Sequence, residues 1–206
     1  MKKRFLSAIV IVLSLFLVSN CAMADTITGI PAPGTNYGAG YVGGGFNYGV
    51  TDRIPVYCFY SAFKRDYFWT AFEDEMNQLL VRFNSGTDDY QYQGISGYAE
   101  QNPSEHNVPV YRFWNNKTLD HFYTISETEK DQLQKDYNSG KDNYAFEGIA
   151  WYVPQTSNIP VYRFFDVSNY NHFYISDEQV KESLNQAYLD GTGSYRYEGI
   201  AWYWLP

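Results

Sequence analysis

The sequence predicts an α+β, β-rich domain of three ββαβ repeats. One pattern of apolar, aromatic and glycine positions occurs three times. Each copy contains runs rich in β-branched and aromatic residues, which are typical of strands, and one segment with helical spacing of apolar residues. Because a single ββαβ unit would leave its apolar face in water, we expect pseudo-threefold symmetry around a shared aromatic core. A β-trefoil-like arrangement is one way to build such a core.

The repeat is aligned on three prolines, Pro55, Pro109 and Pro160, which lie 54 and 51 residues apart. No gap is needed over the next 43 positions, and eleven of those positions are identical in all three segments. We name these segments copy one (53–106), copy two (107–157) and copy three (158–206). The linkers are short and polar, so residues 53–206 are expected to form a single domain.

The elements of each copy follow in a fixed order. A first strand opens at the repeat proline, as in PVYRFW, and a second follows, as in HFYTIS. A capping box begins the helix of copy two: Ser126 accepts from the amide of Glu129, whose side chain reaches back. The run Asn138-Ser139-Gly140 predicts the end of that helix. YAFEGIAWYV is the last strand.

The beginning of the chain is expected to be a signal peptide covering residues 1–24. Basic residues at positions 2–4 precede a fourteen-residue apolar run, and small residues precede Asp25. Lipidation at Cys21 is an alternative that the preceding Asn20 disfavours. A secreted or periplasmic protein is therefore expected. The Gly-rich lead-in at 25–52 is expected to be either flexible or a strand that completes closure of the sheet. Cys58 would be the only cysteine left, so no internal disulfide is expected.

The charge of the mature chain limits its partners. Cleavage would leave 12 Lys and Arg against 23 Asp and Glu, a net charge of −11. This balance argues against nucleic acid and anionic membrane surfaces as partners. No other apolar run is long enough to form a transmembrane segment.

Four repeat positions are shared only by copies two and three, and they supply the candidate ligand-binding residues. These residues are Arg112, His121, Glu147 and Trp151 in copy two, and Arg163, His172, Glu198 and Trp202 in copy three. Copy one has Cys58, Tyr67, Gln93 and Gly97 instead. Strand alternation places Glu147 and Trp151 on one side of their strand. A carboxylate, a guanidinium and an indole close together can bind a sugar, so a glycan site is expected in each of these two copies.

A structural explanation of the same residues stays open. Arg, His and Glu could instead form a buried ion-paired cluster, whose members would be lost together because an unpaired buried charge is unfavourable. Trp151 and Trp202 could be core residues, as large aromatic side chains usually are.

No catalytic residue, metal site or cofactor is predicted. The few His and Cys residues have no recognisable ligand spacing, and no phosphate- or dinucleotide-binding motif is present. Asp120 and Glu147 could serve a small glycosidase, although nothing in the sequence fixes their separation. A non-enzymatic binding module for a glycan or cell-envelope polymer is favoured. The alternative is a protein–protein binder, such as an inhibitor or immunity protein, with a basic secreted partner.

The motifs PVYRFW, HFYT and EGIAWYV resemble a family of secreted bacterial and fungal repeats classed as a domain of unknown function. The resemblance covers residues 53–206. Copy two matches it best, through Tyr111, Arg112, Asn115, His121-Phe122-Tyr123-Thr124 and Glu147-Gly148-Ile149. It implies a module of the kind often appended to cell-wall hydrolases and glycosidases, and hence attachment to a glycan or the envelope. It implies no catalytic residues.

Overall fold

The computed structural model describes residues 53–206, which contain nine strands and three helices in the order ββαβ, three times. The predicted signal peptide and the lead-in at 25–52 lie outside the described residues. Copy one contains β1 (Arg53–Ser61), β2 (Asp66–Thr70), α1 (Glu73–Asn84) and β3 (Tyr90–Glu100). Copy two contains β4 (Asn107–Asn115), β5 (Asp120–Thr124), α2 (Glu127–Asn138) and β6 (Tyr144–Pro154). Copy three contains β7 (Pro160–Asp166), β8 (Asn171–Ile175), α3 (Glu178–Leu189) and β9 (Tyr195–Tyr203).

All strand pairing is antiparallel, and most of it stays within a copy. In each copy the first strand lies between the second and the last. A single residue pair, Glu100 with Tyr152, joins copies one and two into a six-stranded sheet of order β2-β1-β3-β6-β4-β5. Copy three forms a separate sheet, β8-β7-β9. The β-rich prediction is confirmed, but neither sheet closes into a barrel as a β-trefoil would require. None of the helices in residues 53–206 is long and apolar enough to cross a membrane.

The helix of copy two begins and ends where the sequence predicts. The Ser126 hydroxyl accepts from the Glu129 amide at 3.2 Å, and the helix ends at Asn138, just before Gly140 at a φ of 73°. The second half of the capping box is wrong. The Glu129 carboxylate instead accepts from Thr124 and from Arg163, because it is needed at the contact with copy three.

Strand β6 does not alternate regularly between Glu147 and Trp151, because it contains two irregularities. The register against β4 shifts so that Glu147 and Ala150 have no residue opposite them, and Gly148 between them has a φ of 112°. Such bulges reverse the facing of the side chains. Ala150 and Trp151 are consequently both buried, although they are neighbours in one strand.

The core lies where the three copies meet, and two tyrosines tie the second strands together there. The Tyr123 hydroxyl bonds both the N–H and the C=O of Trp69, each at 3.0 Å. The Tyr174 hydroxyl bonds the same groups of Tyr123, at 2.8 and 2.9 Å. Trp69 occupies the corresponding position in copy one and donates to Ser96 instead. The central cluster also includes Val56, Val110, Val161, Trp151, Trp202 and Trp204.

Residues 204–206 connect copy three to copy one. The Trp204 amide donates to the Ile159 carbonyl, and the Leu205 amide donates to the Tyr98 carbonyl, each at 2.9 Å. Arg53 donates to the Pro206 carbonyl at 2.8 Å. The boundary between copies three and one is therefore joined through backbone groups of this segment.

Candidate functional site

Arg112, His121 and Glu147 lie together where copy two meets copy one. The terminal nitrogens of Arg112 donate to both oxygens of Glu75, in the first turn of α1, at 2.9 and 3.1 Å. Its Nε lies 2.9 Å from Oε2 of Glu147, which is an ion pair by distance although the N–H does not point along a hydrogen bond. The guanidinium also lies 5.0 Å from the centre of the Phe68 ring. One arginine thus holds carboxylates from both copies.

His121 makes the other half of this contact. Its backbone N–H donates to Oδ1 of Asp66 at 3.1 Å, and its Nδ1 lies 2.5 Å from Oδ2. The Asp66 side chain is fully buried and also accepts from the Tyr90 hydroxyl at 2.5 Å. Burial, followed by the charge of Asp66, raises the pKa of Tyr90, so its hydroxyl remains a donor. These partners satisfy a carboxylate that would be very unfavourable in a buried position alone.

The same arrangement recurs where copy three meets copy two. Arg163 donates to both oxygens of Glu129 at 3.0 and 3.1 Å, and its Nε lies 3.0 Å from Glu198. The amide and Nδ1 of His172 contact Asp120 at 2.9 and 2.7 Å. We name the first contact clamp one–two and the second clamp two–three.

Hydrogen bonding keeps the ions of clamp two–three charged. Burial raises the pKa of Glu129, but hydrogen bonds from Arg163 and Thr124 outweigh it, and the pKa lies below its usual value. Burial lowers the pKa of Arg163, but Tyr174 and Glu129 raise it by more. The carboxylate and the guanidinium are therefore both ionised at neutral pH.

Trp151 and Trp202 lie in the central core. Their exposed fractions are 2% and 0%, and their ring centres are 6.1 Å apart. Neither indole N–H has a hydrogen-bond partner within residues 53–206, so both side chains contribute through packing. Together with the clamps, this burial favours the ion-paired cluster over a ligand site. A ligand-binding role of the eight candidate residues stays a prediction.

The acidic partners in the clamps are not among the predicted residues. They occupy two repeat positions. The first holds Asp66 and Asp120, and copy three has Asn171 there. The second holds Glu75 and Glu129, and copy three has Val180 there. The signal that could have found them is a pair of acidic positions shared only by copies one and two. Each clamp joins acids of one copy to the Arg–His–Glu set of the next. Copy one lacks that set, and copy three, which adjoins it, lacks the acids.

A cleft of 570 Å³ lies between copies one and two. Its walls include the half-exposed Phe72, the exposed Ile149 and Pro55, and Glu73 and Asp74 line it on the side of α1. Its size is within the usual range of about 300–1,000 Å³ for ligand sites. Apolar walls beside carboxylates can pack against the C–H face of a sugar ring and accept hydrogen bonds from its hydroxyls.

Phe72 departs from the local rule for beginning a helix. It is the N-cap residue of α1 and makes no side-chain cap hydrogen bond. The corresponding residues Ser126 and Asp177 each accept from the third amide of their helices. A residue that cannot cap typically costs about 1 kcal/mol at this position. Departures of this kind are expected at functional sites, and Phe72 is 50% exposed at the cleft.

The two acids weighed for glycosidase chemistry belong to different clamps. Asp120 is held by His172 in clamp two–three, whereas Glu147 contacts Arg112 in clamp one–two. In residues 53–206 no group of three or more His, Cys, Asp or Glu side chains is placed to hold a metal ion.

The fold and the clamps define a repeat-built, β-rich domain whose successive copies are joined by buried ion pairs. The sequence matches the family described as a domain of unknown function, DUF5648, over residues 36–141 and 135–206. The chain belongs to this family, which confirms the resemblance at that level. No curated protein and no solved structure matches the chain.

Proposed function

We propose that this protein is a secreted or periplasmic binding module without enzymatic activity. It holds a glycan or cell-envelope polymer in the cleft between copies one and two. The observation that carries the proposal is Phe72, an exposed aromatic ring placed at a helix start where the other copies have a capping residue. The location outside the cytoplasm rests on the predicted signal peptide.

The side chains around Phe72 suit a polyhydroxylated ligand. Its ring offers a stacking surface, and the carboxylates of Glu73 and Asp74 can accept hydrogen bonds from hydroxyls. The Gln101 side chain can both donate and accept. This combination of apolar walls and a few polar groups is typical of sites that fix the orientation of a ligand.

Clamp one–two supports the cleft by fixing its walls relative to each other. Glu75 follows Glu73 and Asp74 in the first turn of α1, and Arg112 of copy two holds it with two hydrogen bonds. Arg112 also contacts Glu147, two residues before Ile149 in the opposite wall. A preorganised cleft binds more tightly because less order must be imposed on binding.

The proposal has a structural premise, an approximate threefold arrangement of the copies. The tyrosine bridges between β2, β5 and β8 support it, as do the two clamps with corresponding partners. Two features depart from threefold symmetry. Copy one has Trp69 where the other copies have tyrosine, and the boundary between copies three and one lacks the clamp residues.

A sedimentation assay with insoluble polymers tests the function. Purified residues 25–206 are incubated with peptidoglycan and, separately, with chitin, and the bound fraction is compared with that of Phe72→Ser. We expect the wild type to sediment and the variant to remain in solution. Phe63→Ser is the matched control, since Phe63 is 82% exposed but lies outside the cleft. Equal sedimentation of Phe72→Ser and the wild type would contradict the proposal.

The acidic first turn of α1 favours one rival, the binding of a basic protein. The same assay distinguishes it. Association with a basic protein, such as a lysozyme-like enzyme, should weaken steeply as salt is raised, whereas polymer binding through a ring and hydroxyls should change little. Salt-sensitive binding of lysozyme without sedimentation on either polymer would favour the protein binder.

A further inference from the structure

A second cleft, of 260 Å³, lies between copies three and one. Its walls are mostly aromatic and amide side chains, namely Tyr60, Tyr67, Asn169, Asn171, Phe173 and Tyr195. Burial, followed by the charge of Asp166, raises the pKa of Tyr195 to about 12, so its hydroxyl is neutral and can donate. The cleft therefore combines flat apolar surfaces with uncharged hydrogen-bonding groups, and Arg65 and Asp166 also line it.

This cleft lies at the boundary between copies three and one. Other residues stand there at the positions that form the clamps at the other two boundaries. Asn171 holds the position of Asp66 and Asp120, and Tyr67 holds the position of His121 and His172. The ring centres of Tyr67 and Phe173 are 5.6 Å apart. The corresponding distance between Phe68 and His121 is 4.7 Å. The ring pair is thus farther apart at this boundary, and Asn171 and Tyr67 form no ion pair.

Asn171 carries a buried acceptor that lacks a donor. Its side chain is 6% exposed, and its Nδ2 donates to the carbonyl oxygens of Lys64 and Arg65 at 3.2 and 3.1 Å. Its Oδ1 has no hydrogen-bond partner within residues 53–206. In the clamps the aspartate at this position accepts from a histidine. A buried acceptor left without a donor is unfavourable, so a ligand that donates to it would gain affinity.

The charged groups around this cleft already have partners. Arg65 donates to Asn169, which in turn donates to Asp166 at 2.6 Å. His172 lies in the wall, and its Nδ1 is 2.7 Å from Asp120. Asp166 is therefore already held by hydrogen bonds, and a cationic ligand would find no free carboxylate among these groups. A neutral ligand with a hydroxyl donor fits the unpaired acceptor of Asn171.

We propose that this cleft binds one neutral sugar residue, whose hydroxyl donates to Oδ1 of Asn171 and whose C–H face packs on Tyr67. A hydroxyl supplies the missing donor without bringing a charge, and aromatic walls suit the C–H face of a sugar ring. The site is distinct from the cleft beside Phe72. Pro55 lines the cleft between copies one and two, and Tyr60 lines the cleft between copies three and one. Tyr60 lies five residues, or about 17 Å, farther along β1.

Saturation-transfer NMR tests the proposal with three soluble probes, glucose, galactose and N-acetylglucosamine, on residues 25–206. We expect transfer to at least one probe. The key variant is the double substitution Tyr67→His/Asn171→Asp, which rebuilds the Asp–His contact that the other two boundaries already contain. It should fold, as checked by circular dichroism, and bind the probe at least about tenfold more weakly, because the site is closed by a protein contact. Val81→Ser is the matched control, since Val81 is exposed and lines neither cleft, and it should retain the transfer. Phe72→Ser reports on the other cleft.

A second measurement on the wild type does not depend on any variant. Titration with the same probe should move the side-chain amide signal of Asn171 in a nitrogen–proton correlation spectrum. A wild type that shows no transfer from any of the three probes, or an Asn171 signal that stays fixed, overturns the inference. So does transfer that persists at full strength in the folded double variant. Transfer lost only in Phe72→Ser would place the sugar in the other cleft, overturning this inference while supporting the proposed function.

Discussion

The indole of Trp204 occupies the space beside Gly97. A Cβ atom on Gly97 would lie 2.5 Å from Cγ and 2.7 Å from Cδ1 of that ring. Trp204 is buried, and its ring centre lies 6.0 Å from that of Trp151 and 5.5 Å from that of Trp202. Copy one has glycine where the other copies have tryptophan because the segment after β9 supplies the third indole.

Gly97→Ala should destabilise the protein by about 1–3 kcal/mol, the usual cost of forcing an atom into a well-packed core. The new methyl group would overlap the Trp204 ring, which has packed neighbours on its other side. Urea unfolding followed by tryptophan fluorescence measures the change.

A double-mutant cycle with Trp204→Ala is the control for that prediction. Trp204→Ala alone should cost about 3–5 kcal/mol, as large truncations in a core do. In this background Gly97→Ala should add almost nothing, because the overlapping ring is gone. Equal costs of Gly97→Ala in both backgrounds would show that the methyl group is excluded for another reason.

Arg163→Met should destabilise the protein by about 2–3 kcal/mol. The change leaves the carboxylates of Glu129 and Glu198 near each other without their shared cation. Removing one member of a fully buried ion pair costs about 3–5 kcal/mol, and the partial exposure of both glutamates lowers that figure. Chemical unfolding of the wild type and the variant measures it.

Arg82→Met is the matched control for clamp two–three. Arg82 is exposed, and its Nη1 lies 4.0 Å from Asp88. Surface pairs of this kind contribute about 0–1 kcal/mol, so its loss should be small. Similar losses for both variants would mean that the clamp contributes no more than a surface contact.

Phe72→Ser should raise the stability of the fold by about 1 kcal/mol while it abolishes polymer binding. Serine can cap the first turn of α1, as Ser126 caps α2 at 3.2 Å. The ring that is lost is half exposed, so little packing is lost with it. Thermal unfolding, run on the same samples as the sedimentation assay, gives both readouts. A variant that loses binding and also melts at a much lower temperature would indicate a structural role of the ring.

The fold should lose stability in acid. Burial raises the pKa of Asp89, but hydrogen bonds from Ser61, Lys64 and the Phe63 amide outweigh it and lower the pKa to about 2. The pKa of Glu129 is also lowered, from a usual value of 4.5. A lowered folded-state pKa stabilises the fold above the unfolded pKa, and this stability is lost as the pH falls through the folded value.

Urea unfolding at a series of pH values between about 7 and about 2.5 checks this dependence. We expect the free energy of unfolding to fall steadily below about pH 4.5. Asp89→Asn should be less stable than the wild type at neutral pH but should lose less on acidification. A free energy of unfolding that is constant or rises in acid would contradict the assignment of these carboxylates.

The elements within each copy were predictable because their signals are local. Ser126 marks the start of α2, and Leu79 and Leu184 are buried on the predicted helix faces. The bulges of β6 were not predictable, since the same residues could also form a regular strand.

The contacts between copies could be predicted only in part. The set containing Arg112 and His121 was found because its members vary together. Its partners Glu75 and Asp66 lie 37 and 55 residues away, and no local signal indicates which surface meets which. The choice between ligand site and clamp depended on that pairing, which only the packed structure contains.

The unequal clamp residues also specify the order in which three similar copies assemble. Packed as one, two, three, every clamp acid meets an arginine or a histidine, and the boundary between three and one carries neither the clamp acids nor these partners. Packed in the opposite rotational order, Asp120 would lose its histidine and Arg112 would lose the carboxylate of Glu75, and both would face neutral surfaces. Repeat proteins are prone to misassembly of their repeats during folding. Here copy one lacks the clamp arginine and histidine, and copy three lacks the clamp acids. These absences make the incorrect arrangement electrostatically unfavourable and so favour the correct order.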